Sequence, residues 1–183
     1  MLLEARRVSK FYPGVKALKD VDFSIDAGEV VAVVGENGAG KSTLMKILAG
    51  AIEPNKGELR LDGEPVEFDS PLDAQKRGIC TIYQELMIVP ELSVVENVFL
   101  GNLKKSGGIL NWPAMRKEAQ EILSRLGLTA SLDAKAGKLS VAEQQLIEIA
   151  KSMSRKSRLL IMDEPTASLS KEEVASLFDL VRS

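Results

Sequence analysis

A glycine-rich stretch in the first quarter of the chain carries residue types that bind phosphate. Its members are Gly35, Glu36, Asn37, Gly38, Ala39, Gly40, Lys41, Ser42 and Thr43. They match the pattern G-x-x-x-x-G-K-[S/T], in which backbone N–H groups point at phosphate oxygens and the following helix directs its positive end toward the same anion. In such a loop, Lys41 reaches the β- and γ-phosphates of a nucleotide and the Ser42 hydroxyl binds Mg²⁺. The stretch predicts a nucleoside triphosphate site rather than a plain glycine-rich turn.

A pair of acidic residues follows an apolar segment later in the chain. Residues 159–162 read Leu-Leu-Ile-Met, and Asp163 and Glu164 come directly after them. The carboxyl ends of strands in an open α/β sheet are where ligands bind. Asp163 suits the Mg²⁺ side of a bound nucleotide, and Glu164 is the predicted catalytic residue, which orients and polarises the attacking water. Alone, the pair is equally well explained as two surface acids, but the phosphate loop in the same chain favours a site.

Two further polar residues lie at the ends of predicted elements. Gln84 ends an apolar strand over 79–83, and its amide oxygen suits a contact with Mg²⁺ or the attacking water, although a polar loop residue is the plainer explanation. Ser140 precedes a predicted helix and has Glu143 three residues later, which is the pattern of a capping box. A helix N-terminus is also an anion site. Both Gln84 and Ser140 are therefore candidate nucleotide contacts.

The elements that must position these residues follow from apolar periodicity. Residues 30–34 are apolar and mostly β-branched, which predicts a buried parallel strand before the phosphate loop, and a helix should begin near Lys41. The strong patterns over 86–157 are helical. The predicted fold class is α/β: a P-loop NTPase core with a mixed, largely parallel sheet and flanking helices, plus an antiparallel β subdomain and an inserted α-helical subdomain. We expect one domain divided into 1–85, 86–157 and 158–183.

Composition excludes several classes of protein. The chain has 183 residues, a formal net charge of −2 and no histidine, so its overall charge does not favour nucleic acid as a partner. Its only cysteine, Cys80, cannot form a disulfide within the chain, which fits a reducing cytoplasm. No apolar run approaches the roughly 20 residues that a membrane-spanning helix needs.

The order of the motifs resembles that of ATP-binding-cassette (ABC) ATPase subunits. The phosphate loop is followed by Gln84, a helical segment, a stretch similar to the family's Leu-Ser-Gly-Gly-Gln signature at 139–143, the acids Asp163 and Glu164, and a loop over 167–170. The ordered set spans nearly the whole chain and is far more specific than any one motif. The stretches 12–18, 35–38 and 83–86 look most like those of importers of monosaccharides such as ribose, galactose and xylose.

The resemblance implies a sugar-import ATPase that binds ATP and Mg²⁺. Tyr12 resembles the aromatic residue that stacks on adenine, with Phe11 as the competing candidate. Two cassettes would enclose two ATP molecules, each covered by the partner's signature helix, which here begins at Ser140. The implied partners are a second nucleotide-binding domain in the same chain or another subunit, transmembrane permease subunits on which the segment after Gln84 docks, and indirectly a periplasmic or extracellular sugar-binding protein. The implied location is cytoplasmic, on the inner face of the cell membrane.

Three departures from the family pattern bear on activity. Val141, Ala142 and Glu143 replace two glycines and a glutamine in the signature, which places side chains and an acid where a phosphate is expected to approach. Ser170 replaces the acid of the loop that follows the catalytic carboxylate, and the family's switch histidine has no counterpart. The importers that the chain resembles have two such cassettes in one polypeptide, and their histidine lies on a strand after this loop. We therefore expect the chain to be part of the first cassette, without that last strand and histidine, and to be a weak or inactive ATPase alone.

Two other functions remain open on the sequence. One is a soluble ABC ATPase that acts on ribosomes or DNA, which a coiled-coil or zinc-binding insertion or a strongly basic face would favour; the sequence shows none of these. The other is a nucleotide-binding module that is inactive in this form, which the altered signature and the absent histidine favour.

Overall fold

Alternating apolar residues fold the start of the chain into a long antiparallel hairpin. β1 (Leu3–Tyr12) pairs with β2 (Val15–Ile25), and Gly14 takes the left-handed conformation (φ 78°) in the tight turn between them. β3 (Lys56–Leu61) pairs with the other side of β1, and β4 (Glu64–Val66) pairs with β3, which gives a four-stranded antiparallel sheet in the order β2-β1-β3-β4. The predicted antiparallel subdomain is therefore present.

The computed structural model describes residues 1–83, 85–155, 157–163 and 170–182. The chain divides into two compact units, Met1–Cys80 and Thr81–Ser183. Two residues of the predicted site, Gln84 and Glu164, lie outside the described residues. The division into 1–85, 86–157 and 158–183 stays a prediction.

The first unit contains two helices, of which α1 begins where the sequence predicts. α1 (Lys41–Leu48) starts directly after Gly40, and α2 (Pro71–Lys76) starts after Ser70, whose side chain accepts a hydrogen bond from the first turn. Proline is well suited to the first helical position because its missing N–H would have no partner there. α1 buries three apolar residues at helical spacing, namely Leu44, Ile47 and Leu48.

The apolar run before the phosphate loop differs from its prediction. Residues 30–34 do not form a strand, and Val30 and Val34 are 67% and 89% exposed. A strand is stable only when neighbouring strands satisfy its backbone N–H and C=O groups, and none of the sheets formed by the described residues includes this run. The predicted buried strand is wrong for this structure, because apolar side chains favour burial without supplying a pairing partner.

The second unit is mainly helical. Its helices are α3 (Val94–Val98), α4 (Trp112–Arg125), α5 (Val141–Met153) and α6 (Lys171–Arg182). Two more pairs of strands complete the described sheets: β5 (Ile79–Ile82) with β8 (Leu159–Met162), and β6 (Lys105–Ser106) with β7 (Ile109–Leu110). The first three of these helices each begin at a side-chain cap, which is Ser93, Asn111 or Ser140.

The apolar faces of α3, α4 and α5 pack into one core, as their periodicity predicts. Its fully buried members include Phe99, Met115, Leu123, Leu146 and Ile147. This core fixes the position of α5 and therefore of Ser140 at its start. Among the described residues, no helix combines the length and the apolar composition needed to cross a bilayer.

Candidate functional site

The phosphate loop takes its shape from two glycines in the left-handed region. Gly38 has φ 85° and Gly40 has φ 91°, and the Ala39 amide donates to the Glu36 carbonyl at 3.1 Å, which closes a turn. A Cβ at Gly40 would lie 2.4 Å from the Ala17 carbonyl oxygen, so the position requires glycine for space as well as for conformation. The end of the loop is thereby packed against β2.

The start of α1 presents backbone amides without a side-chain cap. Its N-cap residue is Gly40, which has no side chain to accept from them, and the first N–H groups of any helix lack partners within the helix. The first-turn residues are Lys41, Ser42 and Thr43. Ser42 and the loop residues 35–39 are exposed to solvent. Together with the helix dipole, these amides favour an anion at this position.

Lys41 folds back over the loop that precedes it. Its Nζ donates to the carbonyl oxygens of Gly35 at 2.7 Å and Glu36 at 2.9 Å. Hydrogen bonds from an ammonium to a charged oxygen are shorter and stronger than those to a neutral carbonyl. The ammonium therefore lies where it can exchange two neutral acceptors for phosphate oxygens.

Both aromatic candidates lie at the end of β1. The side chains of Phe11 and Tyr12 are 36% and 43% exposed, and the Lys10 ammonium lies 5.7 Å from the centre of the Tyr12 ring. Lys10 pairs with Leu18 on β2, and a Cβ at Gly40 would lie 2.8 Å from the Leu18 side chain. Both aromatics thus lie on the hairpin that supports the phosphate loop, and the choice of Tyr12 over Phe11 stays a prediction.

Asp163 lies where β8 ends, beside the end of β5. Its amide donates to the Ile82 carbonyl at 3.1 Å, and the residue is half-buried. Ile82 is the last residue of β5 and comes two positions before Gln84. The strand that leads to Gln84 and the strand that leads to Asp163 and Glu164 are therefore neighbours. The roles of Gln84 and Glu164 stay predictions.

The start of α5 forms the capping box that the sequence predicts. The amide and hydroxyl of Ser140 both donate to Glu143 Oε2 at 2.8 Å, and the Glu143 amide lies 3.3 Å from Ser140 Oγ, which accepts from it. An anion approaching Ser140 would meet the Glu143 carboxylate. The capping role is confirmed, whereas a contact between Ser140 and nucleotide stays a prediction.

Three buried polar residues of the second unit were not predicted from the sequence. Asn97 on α3 is fully buried, and Glu148 and Lys151 on α5 form an ion pair in which each side chain is 10% exposed. A Lys–Glu pair at this spacing is usual on exposed helix faces, so spacing does not identify a buried one. One signal was available, since Glu148 interrupts the apolar run over 146–150.

The oxygen donors of the candidate residues suit Mg²⁺. Ser42 offers a hydroxyl and Asp163 a carboxylate, and Mg²⁺ prefers hard oxygen ligands. Across residues 1–83, 85–155, 157–163 and 170–182, no group of three or more His, Cys, Asp or Glu side chains is arranged to hold a metal ion. Mg²⁺ commonly binds through one or two carboxylates together with substrate phosphates and water, so a single carboxylate such as that of Asp163 is compatible with it.

The chain is similar in sequence to known ATP-binding proteins of importers. Residues 18–167 match the family model described as ABC transporter. The chain is 50% identical over 181 residues to the ribose import ATP-binding protein RbsA 1 of Rubrobacter xylanophilus, covering 99% of this chain and 36% of the relative. It is 45% identical over 174 residues to the arabinose import ATP-binding protein AraG of Pectobacterium atrosepticum, covering 95% of this chain and 34% of the relative. The chain thus spans about a third of the length of these curated relatives.

Solved structures with the same fold are ATP-binding cassettes. The dimeric post-hydrolysis state of the cassette MJ0796 with ADP and Pi superposes with a TM-score of 0.85 at 28% identity, covering 98% of this chain and 81% of that one. A nucleotide-free cassette from an ABC transporter gives a TM-score of 0.84 at 26% identity, covering 99% and 76%. The predicted fold class, a P-loop NTPase core with added subdomains, is confirmed.

Proposed function

Because the chain belongs to the ABC transporter family, we propose that it is the ATP-binding and ATP-hydrolysing part of a subunit that energises the import of a simple sugar. The phosphate loop carries this proposal, since its left-handed glycines, the uncapped start of α1 and the folded-back Lys41 together suit a triphosphate. The relatives named for ribose and arabinose import support a monosaccharide as the cargo.

The nucleotide is bound by groups of different chemistry. Lys41 and the amides at the start of α1 bind the β- and γ-phosphates, and Tyr12 stacks on adenine, a contact worth about 1–3 kcal/mol by analogy with base stacking. Ser42 and Asp163 contribute oxygen ligands for Mg²⁺. When bound, Mg²⁺ neutralises charge on the phosphates.

Hydrolysis requires a positioned water and a second cassette. Glu164 orients the water and accepts its proton as the water attacks the γ-phosphorus. The bond from that phosphorus to the bridging oxygen breaks, and ADP leaves with this oxygen. Gln84 would contact the metal or the attacking water. The partner cassette supplies a signature over the nucleotide, and this chain offers Ser140 in return. Closing and opening of the two cassettes drives transmembrane permease subunits on the cytoplasmic face of the membrane, and a sugar-binding protein outside delivers the cargo.

Titration calorimetry of the chain with MgATP tests the nucleotide site. Lys41→Ala should lower the affinity about tenfold or more, because it removes charge-assisted hydrogen bonds to phosphate. Lys46→Ala is the matched control, since Lys46 is exposed on the same helix and its loss changes the charge equally. Equal affinities of the two variants would contradict the assignment of the loop.

ATP turnover by the full-length protein tests the catalytic assignment. Glu164→Gln should abolish turnover while MgATP binding is kept, because the amide cannot accept the proton of the attacking water. Undiminished turnover would remove Glu164 from its role. Sugar uptake by liposomes that contain the protein and its transmembrane subunits tests the import function separately.

A further inference from the structure

Lys151 makes a contact that joins two distant parts of the second unit. Its Nζ donates to the backbone carbonyl of Met87 at 3.0 Å and to Glu148 Oε1 at 3.1 Å. Lys151 lies in the last turns of α5, whereas Met87 belongs to the segment that follows Gln84. The Met87 side chain is 58% exposed, so this residue faces solvent while its carbonyl is held by α5.

The rest of the 87–93 segment is also held by side-chain and backbone bonds. The buried Asn97 accepts from the Val89 amide at 2.9 Å, and its Nδ2 donates to the Val89 and Ser93 carbonyls, each at 3.0 Å. Pro90 and Leu92 accept backbone hydrogen bonds from Gly137 and Ala136, both at 3.0 Å. Residues 136–137 lead directly to Ser140, the N-cap of α5. The segment is therefore bonded to α5 near its end and to the chain just before its start.

From this arrangement we propose that Lys151 is a positioning residue that latches the 87–93 segment to α5, so that a displacement of the segment moves the start of α5 at Ser140. Without the latch, the segment near Met87 bends and absorbs the displacement. The inference rests on the proposed function and on the expectation, from the family resemblance, that the segment after Gln84 docks on the permease subunits. The inference concerns how a displacement of the 87–93 segment reaches α5, the helix that begins in the signature.

The energetics favour a positional role over a purely stabilising one. Burying two charges carries a desolvation cost that their attraction often fails to offset, and apolar replacements of similar size are commonly neutral or stabilising. Apolar side chains at both positions would therefore pack α5 adequately. They would not bond to a backbone carbonyl 64 positions away in the sequence, and that bond is what fixes Met87 against the helix.

The test uses the full-length protein with its transmembrane subunits in liposomes. The variant Glu148→Gln/Lys151→Met removes the latch without leaving a lone buried charge. It should keep basal ATP turnover, while the stimulation of turnover by sugar-loaded binding protein falls about fivefold or more, the size of a typical coupling between sites. Lys151→Arg keeps a cation and should restore most of the stimulation. If the Met variant does not fold, Glu148→Gln/Lys151→Gln replaces it.

A second ion pair provides the matched control. Lys104 and Glu118 pair in the same unit at 36% and 30% exposure, and Glu118→Gln/Lys104→Met should leave the stimulation unchanged. Hydrogen exchange gives an independent readout, since amides of 87–93 should exchange faster in the latch variant than in the control. Wild-type stimulation and wild-type exchange in the latch variant would overturn the inference. A wild-type protein without stimulated turnover would instead contradict the proposed function, and the exchange measurement would still decide whether the latch exists.

Discussion

At the scale of single residues, Gly40 serves the fold and the candidate site together. It holds a left-handed conformation, its missing side chain leaves room for the Ala17 carbonyl of β2, and it begins α1 without covering the first amides. These three properties let the loop pack against β2 and leave the first amides of α1 free to bind a phosphate.

Replacing two glycines of left-handed conformation by alanine distinguishes the cost of backbone strain from the cost of steric overlap. Gly14→Ala should cost about 1–2 kcal/mol of unfolding free energy, the usual penalty of a left-handed backbone for a residue with a Cβ, because nothing lies within 4 Å of that Cβ. Gly40→Ala should cost more, since its Cβ also overlaps the Ala17 carbonyl oxygen. Urea denaturation of both variants measures the difference, and equal costs would show that the packing at Gly40 relaxes freely.

At the scale of elements, α3 and α5 begin with the same device. Ser93 with Glu96, and Ser140 with Glu143, each form a reciprocal capping box. At α3, hydrogen bonds from the Ser93 hydroxyl and amide hold the pKa of Glu96 below its ordinary value. A carboxyl group whose pKa falls on folding stabilises the protein above its ordinary pKa, and this stability is lost as the pH falls through the lowered value.

Glu96→Gln should therefore reduce stability most at neutral pH. We expect a loss of about 0.3–1.5 kcal/mol at pH 7, the usual contribution of such a helix-start feature, and a smaller difference from wild type as the pH falls below the ordinary glutamate pKa of about 4.3. Urea unfolding over that range measures it. Glu91→Gln is the control for net charge, since Glu91 is an exposed neighbour. If the loss of unfolding free energy in Glu96→Gln does not change with pH, the lowered pKa of Glu96 does not arise from the capping box.

At the scale of the whole molecule, charge bears on the choice between a transport ATPase and one that acts on ribosomes or DNA. The chain carries 24 basic and 26 acidic residues, a net charge of −2. Phosphate backbones bind proteins mainly through an excess of Lys and Arg that displaces counterions, and this chain has no such excess.

The chain should show no measurable binding to nucleic acid near physiological ionic strength. Fluorescence anisotropy with short single- and double-stranded oligonucleotides is a direct measurement, and MgATP at the same protein concentrations is the positive control. Salt-dependent binding at micromolar protein would favour the ribosome- or DNA-associated alternative.

The sequence alone determined the features whose causes are local. The cap Ser140 starts α5 at the predicted position, and α1 begins at Lys41 directly after the phosphate loop, as predicted, because each start depends on residues only a few positions away. The sequence also predicted the family, because each motif is a continuous stretch of the chain and the motifs follow one another in the family's order.

Only the tertiary structure decided which groups have partners. Residues 30–34 have the apolar, β-branched composition of a strand, but they pair with no strand among the described residues. The spacing of Lys151 and Glu148 is typical of an exposed helix face, but Lys151 is buried and donates to the Met87 carbonyl. Pairing and burial depend on which distant segments meet, and neither apolar periodicity nor charge spacing records that.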